Sequence, residues 1–205
     1  MTKIKICGLR RPEDIEIANR LQPDYVGFVF AESRRQVDEK MAAAMRKELD
    51  ASIPAVGVFV NAPIRKAADV SAANLIQMIQ LHGDEDEAYI DELRKMVPDV
   101  PIIKAVRVQS AEQILAAAKW NVDYLLLDTF VKNVYGGSGI AFDKKLIPPL
   151  DIPYFLAGGL TAENVRENIH ACSPFAVDVS SAVETDGVKD ERKIKTFIER
   201  VRNHE

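Results

Sequence analysis

Two side chains that can move protons close apolar segments of this chain. Cys7 ends Lys3-Ile4-Lys5-Ile6-Cys7 and precedes Gly8, and Asp128 ends Tyr124-Leu125-Leu126-Leu127-Asp128. A thiol at a strand end, beside cations or helix N-termini, is expected to be drawn toward its thiolate and to serve as a base. Otherwise a free cysteine is a small buried apolar group. A carboxyl group behind three leucines is partly removed from water, the setting of a proton donor. The plainer reading of such an aspartate is a turn or a helix cap. Three later turns are rich in glycine or serine: Gly136-Gly137-Ser138-Gly139, Gly158-Gly159 and Ser180-Ser181, the last following Asp178. Glycine turns let backbone amides approach an anion closely. None is a Walker loop, which requires Gly-Lys-Ser/Thr, and no strand directly precedes the first as a dinucleotide fingerprint demands. Gln80 and His82 alternate on one apolar segment and face the same way. Arg34 and Arg35 follow another and are either solvated charges or, in one case, a bidentate carboxylate ligand.

These residues need a frame that points them at one place. Apolar, β-rich runs recur at Lys3–Cys7, Tyr25–Phe30, Ala55–Val60, Met78–Leu81, Ile102–Val106, Tyr124–Asp128, Tyr154–Ala157 and Phe175–Val179. Several are nearly continuous in apolar residues, the pattern of parallel strands covered on both faces. Helical patterns separate them. Pro12 with Glu13 and Asp14 opens the first. Asp84-Glu85-Asp86-Glu87 and Ser110-Ala111-Glu112-Gln113 resemble capping boxes. Thr161 is expected to cap a helix carrying Val165 and Ile169, and Asp190 a last helix whose Ile194, Phe197, Ile198 and Val201 form one face. Eight βα repeats predict a single α/β domain over residues 1–205, a closed (β/α)8 barrel of the TIM type. The chain of 205 residues is short for that fold, typically ~250 residues, so its helices should be brief. In such a barrel all strand C-termini open on one face, where chemistry is placed, with a phosphate site after strands seven and eight.

Composition narrows the partners. Charged residues make up 28% and the net charge is -4, which gives no reason to expect nucleic acid or an anionic membrane. Two cysteines, Cys7 and Cys172, form no disulfide framework and suit the cytoplasm. The first residues enter a strand pattern at once, so no leader is expected. No apolar run reaches the ~20 residues of a membrane span. His170 and His204 stand alone, and no ligand set has metal spacing.

Taken in order, Lys5-Ile6-Cys7-Gly8, Gly27-Phe28-Val29-Phe30 with Ser33 and Arg35, Gly57-Val58-Phe59-Val60, Gln80-Leu81-His82-Gly83, Leu127-Asp128-Thr129, Gly136-Gly137-Ser138-Gly139, Ala157-Gly158-Gly159-Leu160 and Ala176-Val177-Asp178-Val179-Ser180-Ser181 resemble the phosphoribosylanthranilate isomerase family along nearly the whole chain. The resemblance implies a cofactor-free Amadori rearrangement of N-(5-phosphoribosyl)anthranilate to 1-(o-carboxyphenylamino)-1-deoxyribulose 5-phosphate, in tryptophan biosynthesis. By motif, Asp128 would protonate the ribose ring oxygen and Cys7 would take the C2 proton of the resulting imine. Arg35 would hold the anthranilate carboxylate, with Gln80 and His82 also lining the substrate. Gly158, Gly159, Asp178, Ser180 and Ser181 would surround the phosphate, and Gly136, Gly137, Ser138 and Gly139 would close over it. The chain departs from the family at Arg34, where proline is frequent, and at Ala182, where glycine is usual.

Two rivals share some of these features. A ribulose-phosphate epimerase would need metal-binding aspartates and histidines. A non-catalytic phosphate-binding protein would keep the glycine turns and need neither Cys7 nor Asp128. Whether the chain is a monomer or a homodimer is open at this level.

Overall fold

A computed structural model of the chain describes residues 1–129 and 144–203. Eight parallel strands close into a barrel: β1 (Lys3–Cys7), β2 (Tyr25–Val29), β3 (Ala55–Phe59), β4 (Met78–Leu81), β5 (Ile102–Val108), β6 (Tyr124–Thr129), β7 (Tyr154–Leu156) and β8 (Ala176–Val179). Each pairs with its sequence neighbour, and β1 closes the ring on β8 with Lys5 opposite Asp178. The predicted barrel is therefore found. Strand limits match expectation for β1 and β4 and differ by one or two residues elsewhere, the largest difference being β5, which continues to Val108.

Seven helices surround the barrel among the described residues: α1 (Pro12–Leu21), α2 (Glu39–Glu48), α3 (Ile64–Ala72), α4 (Glu87–Met96), α5 (Ala111–Ala117), α6 (Val165–Cys172) and α7 (Glu191–Arg202). They are short, from seven to twelve residues, as a compact version of the fold requires. Their starts follow from local chemistry. Pro12 occupies the first turn of α1, and the Asp14 carboxylate accepts from the backbone amides of Arg10 and Arg11 at 3.0 and 3.2 Å. Asp38, Asp86, Ser110 and Asp190 each accept from backbone N–H groups of the first turn of α2, α4, α5 and α7, satisfying donors that the helix itself leaves open. Thr161 does not cap α6. Asn164 holds that position, and the Asn164 side chain reaches back to accept from the Thr161 amide at 2.9 Å. Between β6 and β7 the described chain holds only a single 3-10 turn, Lys144–Leu146. After β8 comes a 3-10 turn, Ser181–Val183, and a small hairpin, β9 (Glu184–Thr185) with β10 (Val188–Lys189), which has no counterpart in the sequence expectations.

Apolar side chains fill two layers. Ile4, Ile6, Val26, Phe28, Phe59, Ile79 and Leu81 face outward under the helices, which contribute Ile15, Met45, Ile90, Leu93, Phe197 and Ile198. Val56, Met78, Ile103, Leu126, Phe155 and Ala176 pack inside the ring. The barrel floor is aromatic: Phe155 meets the rings of Tyr25, Tyr124 and Phe175 at centroid distances of 5.6, 5.6 and 5.7 Å. Among the described residues no helix is long and apolar enough to cross a membrane.

Candidate active site

Above this floor the inward positions change character. The two-residue alternation that places Met78 on the floor puts Gln80 and His82 higher on the same face, and places Leu126 below Asp128. On β1 and β8 it lifts Lys5, Cys7, Asp178 and Ser180 into the same space. The result is a cavity of about 660 Å³ at the strand C-termini. Ten of the site residues read from the sequence line it together: Cys7, Arg35, Gln80, His82, Asp128, Gly158, Gly159, Asp178, Ser180 and Ser181. Gly136, Gly137, Ser138 and Gly139 lie outside the described residues.

On one side a hydrogen-bonded chain runs through three strands' worth of barrel. The Gln80 amide nitrogen donates to His82 Nδ1 at 2.7 Å. With Nδ1 accepting, His82 Nε2 carries the ring proton and donates to Asp128 Oδ2 at 3.2 Å. All three side chains are buried. His82 and Gln80 thus stand behind the carboxylate as well as on the cavity wall.

On the other side the charges are paired. Lys5, wholly buried, donates to Asp178 Oδ1 at 2.9 Å. Cys7 sits one inward position above Lys5. Burial pushes its thiol up from the ordinary value, against the pull of Lys5 and Lys189. This reverses the expected direction. The cations that the sequence reading invoked are present, but desolvation of the thiolate outweighs them. The Cys7 carbonyl accepts from Ser180 Oγ at 2.9 Å, tying β1 to the turn after β8.

At the rim, Arg34 and Arg35 both donate to Glu184, Arg34 Nη2 at 3.1 Å, but they differ in exposure. Arg35 lines the cavity with only 13% of its side chain exposed, whereas 59% of the Arg34 side chain is in solvent. The Arg35 stem lies over the turn at Gly8, whose φ of 85° and lack of a Cβ make the approach possible: a Cβ there would fall 2.4 Å from Arg35 Cδ. Arg35 is held from behind by Glu184 on β9, with Nε to Oε1 at 2.6 Å and Nη2 to Oε2 at 2.9 Å. Lys189 on β10 donates to the same carboxylate at 2.8 Å and to the Ser180 carbonyl at 3.0 Å. Burial alone would favour the neutral acid, but the hydrogen bonds from Arg35 and Lys189 hold the Glu184 carboxyl down at about 2. Opposite, the turn after β7 puts Gly158 and Gly159 in the left-handed region (φ 78° and 69°), a conformation closed to most side chains.

Sequence reasoning missed Lys5, Glu184 and Lys189. Lys5 carried a signal, a cation of the same parity as Cys7 inside an otherwise apolar strand. Glu184 and Lys189 carried none, because only the hairpin brings them to the rim. Among the described residues no group of three histidine, cysteine or acidic side chains is placed to hold a metal ion.

Fold and rim define a class: a (β/α)8-barrel enzyme whose proton-transferring groups face a pocket ending in glycine- and serine-rich turns, the make-up of a sugar-phosphate isomerase. Comparison with known proteins makes the class particular. The family profile of N-(5'-phosphoribosyl)anthranilate (PRA) isomerase matches residues 4–200, and the chain belongs to that family. The N-(5'-phosphoribosyl)anthranilate isomerase of Lachnoclostridium phytofermentans is 49% identical over 209 residues, covering 96% of this chain and 95% of the relative. The crystal structure of phosphoribosyl anthranilate isomerase from Thermus thermophilus superposes with a TM-score of 0.86 at 30% identity, covering 100% of both chains. A further phosphoribosyl anthranilate isomerase structure, in complex with reduced 1-(o-carboxyphenylamino)-1-deoxyribulose 5-phosphate, gives a TM-score of 0.80 at 36% identity over 98% of this chain and 99% of that one. The chain is an isomerase of tryptophan biosynthesis, in the aldose–ketose class of intramolecular oxidoreductases.

Proposed function

We propose that this cavity performs the Amadori rearrangement with Asp128 as the acid and Cys7 as the base. The observation that carries the assignment is that both line one cavity, from facing sides, with an arginine at one edge and the Gly158-Gly159 and Ser180-Ser181 turns at another. The ligand held by the related structure, reduced 1-(o-carboxyphenylamino)-1-deoxyribulose 5-phosphate, carries a carboxylate and a phosphate at opposite ends. Here Arg35 takes the carboxylate with the guanidinium edge that Glu184 leaves open, and the backbone of the two turns takes the phosphate.

The proton balance is simple. Asp128 protonates the ribose ring oxygen, and the C1–O bond breaks to leave a protonated imine. The Cys7 thiolate removes the C2 proton, giving an enolamine. The enolamine moves a proton from its C2 hydroxyl to C1 and becomes the ketone. One proton has passed from Asp128 to Cys7, so the cycle closes when the thiol returns it to the carboxylate through solvent. Gln80 and His82 serve the acid from behind, fixing the Asp128 carboxyl by the hydrogen bond to His82. Both cysteines are free, which supports placing the enzyme in the reducing cytoplasm.

The test follows the fluorescence of freshly made N-(5-phosphoribosyl)anthranilate as purified protein, in chelator, consumes it. Decay well above the spontaneous background, abolished in folded Cys7→Ala and Asp128→Ala, is the expected result. Retained turnover in either folded variant removes that residue from its role. Tight binding of the substrate without any decay points to a binding protein.

A further inference from the structure

Lys5 has no part in the reaction just described, yet its ammonium is wholly buried inside the barrel. Burying a charge is costly, and an apolar side chain of the same length fills such a place with less penalty. The ion pair to Asp178 at 2.9 Å keeps the charge tolerable without explaining it. Position does. Lys5 and Cys7 share the inward face of β1, one alternation apart, both buried, and the Lys5 ammonium is the strongest pull toward the charged form acting on the Cys7 thiol.

We infer that Lys5 is the positioning residue of the Cys7 base: pinned by Asp178, its ammonium supplies the positive charge against which the Cys7 sulfur becomes anionic in the closed, dry cavity. The inference rests on the assignment of Cys7 as base. It concerns a residue that touches no reacting atom and acts through the thiol.

The surroundings of Cys7 single out Lys5. β2 presents Gly27, which carries no charge. β8 presents Asp178, which opposes the thiolate. The β9–β10 hairpin presents Lys189, whose positive charge helps the thiolate less than Lys5 does and is itself spoken for by Glu184 and the Ser180 carbonyl. Across the cavity stand Asp128 and His82, with Arg35 at the rim. Burial works against the charge of Lys5, but Asp178 and Cys7 together carry its ammonium above the ordinary lysine range, so it stays protonated throughout the working pH range.

The experiment reads Cys7 itself. Full-length protein is alkylated with iodoacetamide across a pH series, and the Cys7 peptide is followed by mass spectrometry. Four forms are compared: wild type, Lys5→Met, Asp178→Asn, and the double variant, which removes both buried charges and so keeps a neutral, folded barrel if the single lysine variant collapses. The alkylation midpoint should rise in Lys5→Met by about 1–3 pH units, the reach of a close opposite charge. It should fall in Asp178→Asn and lie between wild type and Lys5→Met in the double variant. The pH at which kcat reaches half its plateau should follow the same order. A purely packing role for Lys5 predicts no such ordering. A wild-type midpoint in folded Lys5→Met, or in the double variant, overturns the inference. Near-wild-type turnover by Cys7→Ala overturns instead the base assignment beneath it, whatever the alkylation midpoints.

Discussion

The two ends of this barrel are built from the same eight strands and solve different problems. At the N-terminal end Phe155 is ringed by Tyr25, Tyr124 and Phe175 within 5.7 Å, an apolar plug with no ion pair in it. Toward the C-terminal end, inward positions carry Lys5 with Asp178 and His82 with Asp128, and the rim carries Lys189 and Arg35 with Glu184. Buried ion pairs contribute little net stability, because desolvation offsets most of their attraction. Aromatic burial contributes a great deal. Within this fold, then, stability is concentrated at the floor and charge is concentrated where it can tune reacting groups. The mouth also divides internally. Asp128 meets His82, itself backed by Gln80, while Cys7 faces the Lys5 ammonium. The carboxyl and the thiol thus have different buried partners, each supplied from its own side of the barrel.

The sharpest way to break this contrast is to remove chemistry at the mouth and packing at the floor and ask whether the effects stay separate. Asp128→Asn and Cys7→Ala should each lower kcat by about 10²–10⁴-fold, the range of a general acid or base, with thermal melting close to wild type. Turnover and differential scanning calorimetry on the same samples check both halves. Phe155→Ala should do the reverse. Emptying the middle of the aromatic plug costs about 3–5 kcal/mol of stability, read by urea unfolding, while kcat per folded molecule stays unchanged. A floor variant that lost kcat in proportion to stability would show the two ends to be one unit.

How much of this division was legible in the sequence depends on range. The strands were legible because continuous apolar runs such as Leu125-Leu126-Leu127 have few alternatives in a chain with eight of them, and Cys7 and Asp128 were legible as the residues that end such runs. Parity showed that Gln80 and His82 face one way. It did not show that His82 would meet Asp128, 46 residues on, because that contact exists only once β4 and β6 flank β5 in a closed ring. The Lys5–Asp178 pair spans 173 residues and needs the ring to close β8 on β1. The direction of the Cys7 shift was misjudged for the same reason: neighbouring cations are readable from a strand, but the depth of burial is not. Residue type alone makes Thr161 a cap, whereas the helix begins later, with Asn164 at the N-cap position and its side chain turned back to the Thr161 amide rather than onto the first turn of α6.

At the rim the comparison sharpens further, because Arg35 serves substrate and Glu184 serves Arg35. Arg35→Ala should raise KM by about 10–100-fold, the worth of a charge-assisted hydrogen bond, and change kcat little. Arg34→Ala, altering a side chain that is 59% exposed, should leave KM alone. An effect of Arg34→Ala equal to that of Arg35→Ala would undo the distinction between them.

Glu184 gives the smallest effect and the most direct reading of its charge. Burial disfavours its carboxylate, yet Arg35 and Lys189 bring it down to about 2 from the ordinary 4.5. A carboxyl whose value is lower in the folded than in the unfolded chain stabilises the fold above the unfolded value, and that contribution disappears as pH falls toward the folded one. Between pH 5 and pH 3 wild-type protein should therefore lose about 1–2 kcal/mol more stability than Glu184→Gln, by linkage through this group alone. Urea midpoints measured at the two pH values in both proteins check it. Parallel acid profiles would mean that Arg35 and Lys189 hold Glu184 no more firmly in the folded chain than solvent does in the unfolded one, and the rim would then owe its geometry to packing of the hairpin rather than to the shared carboxylate.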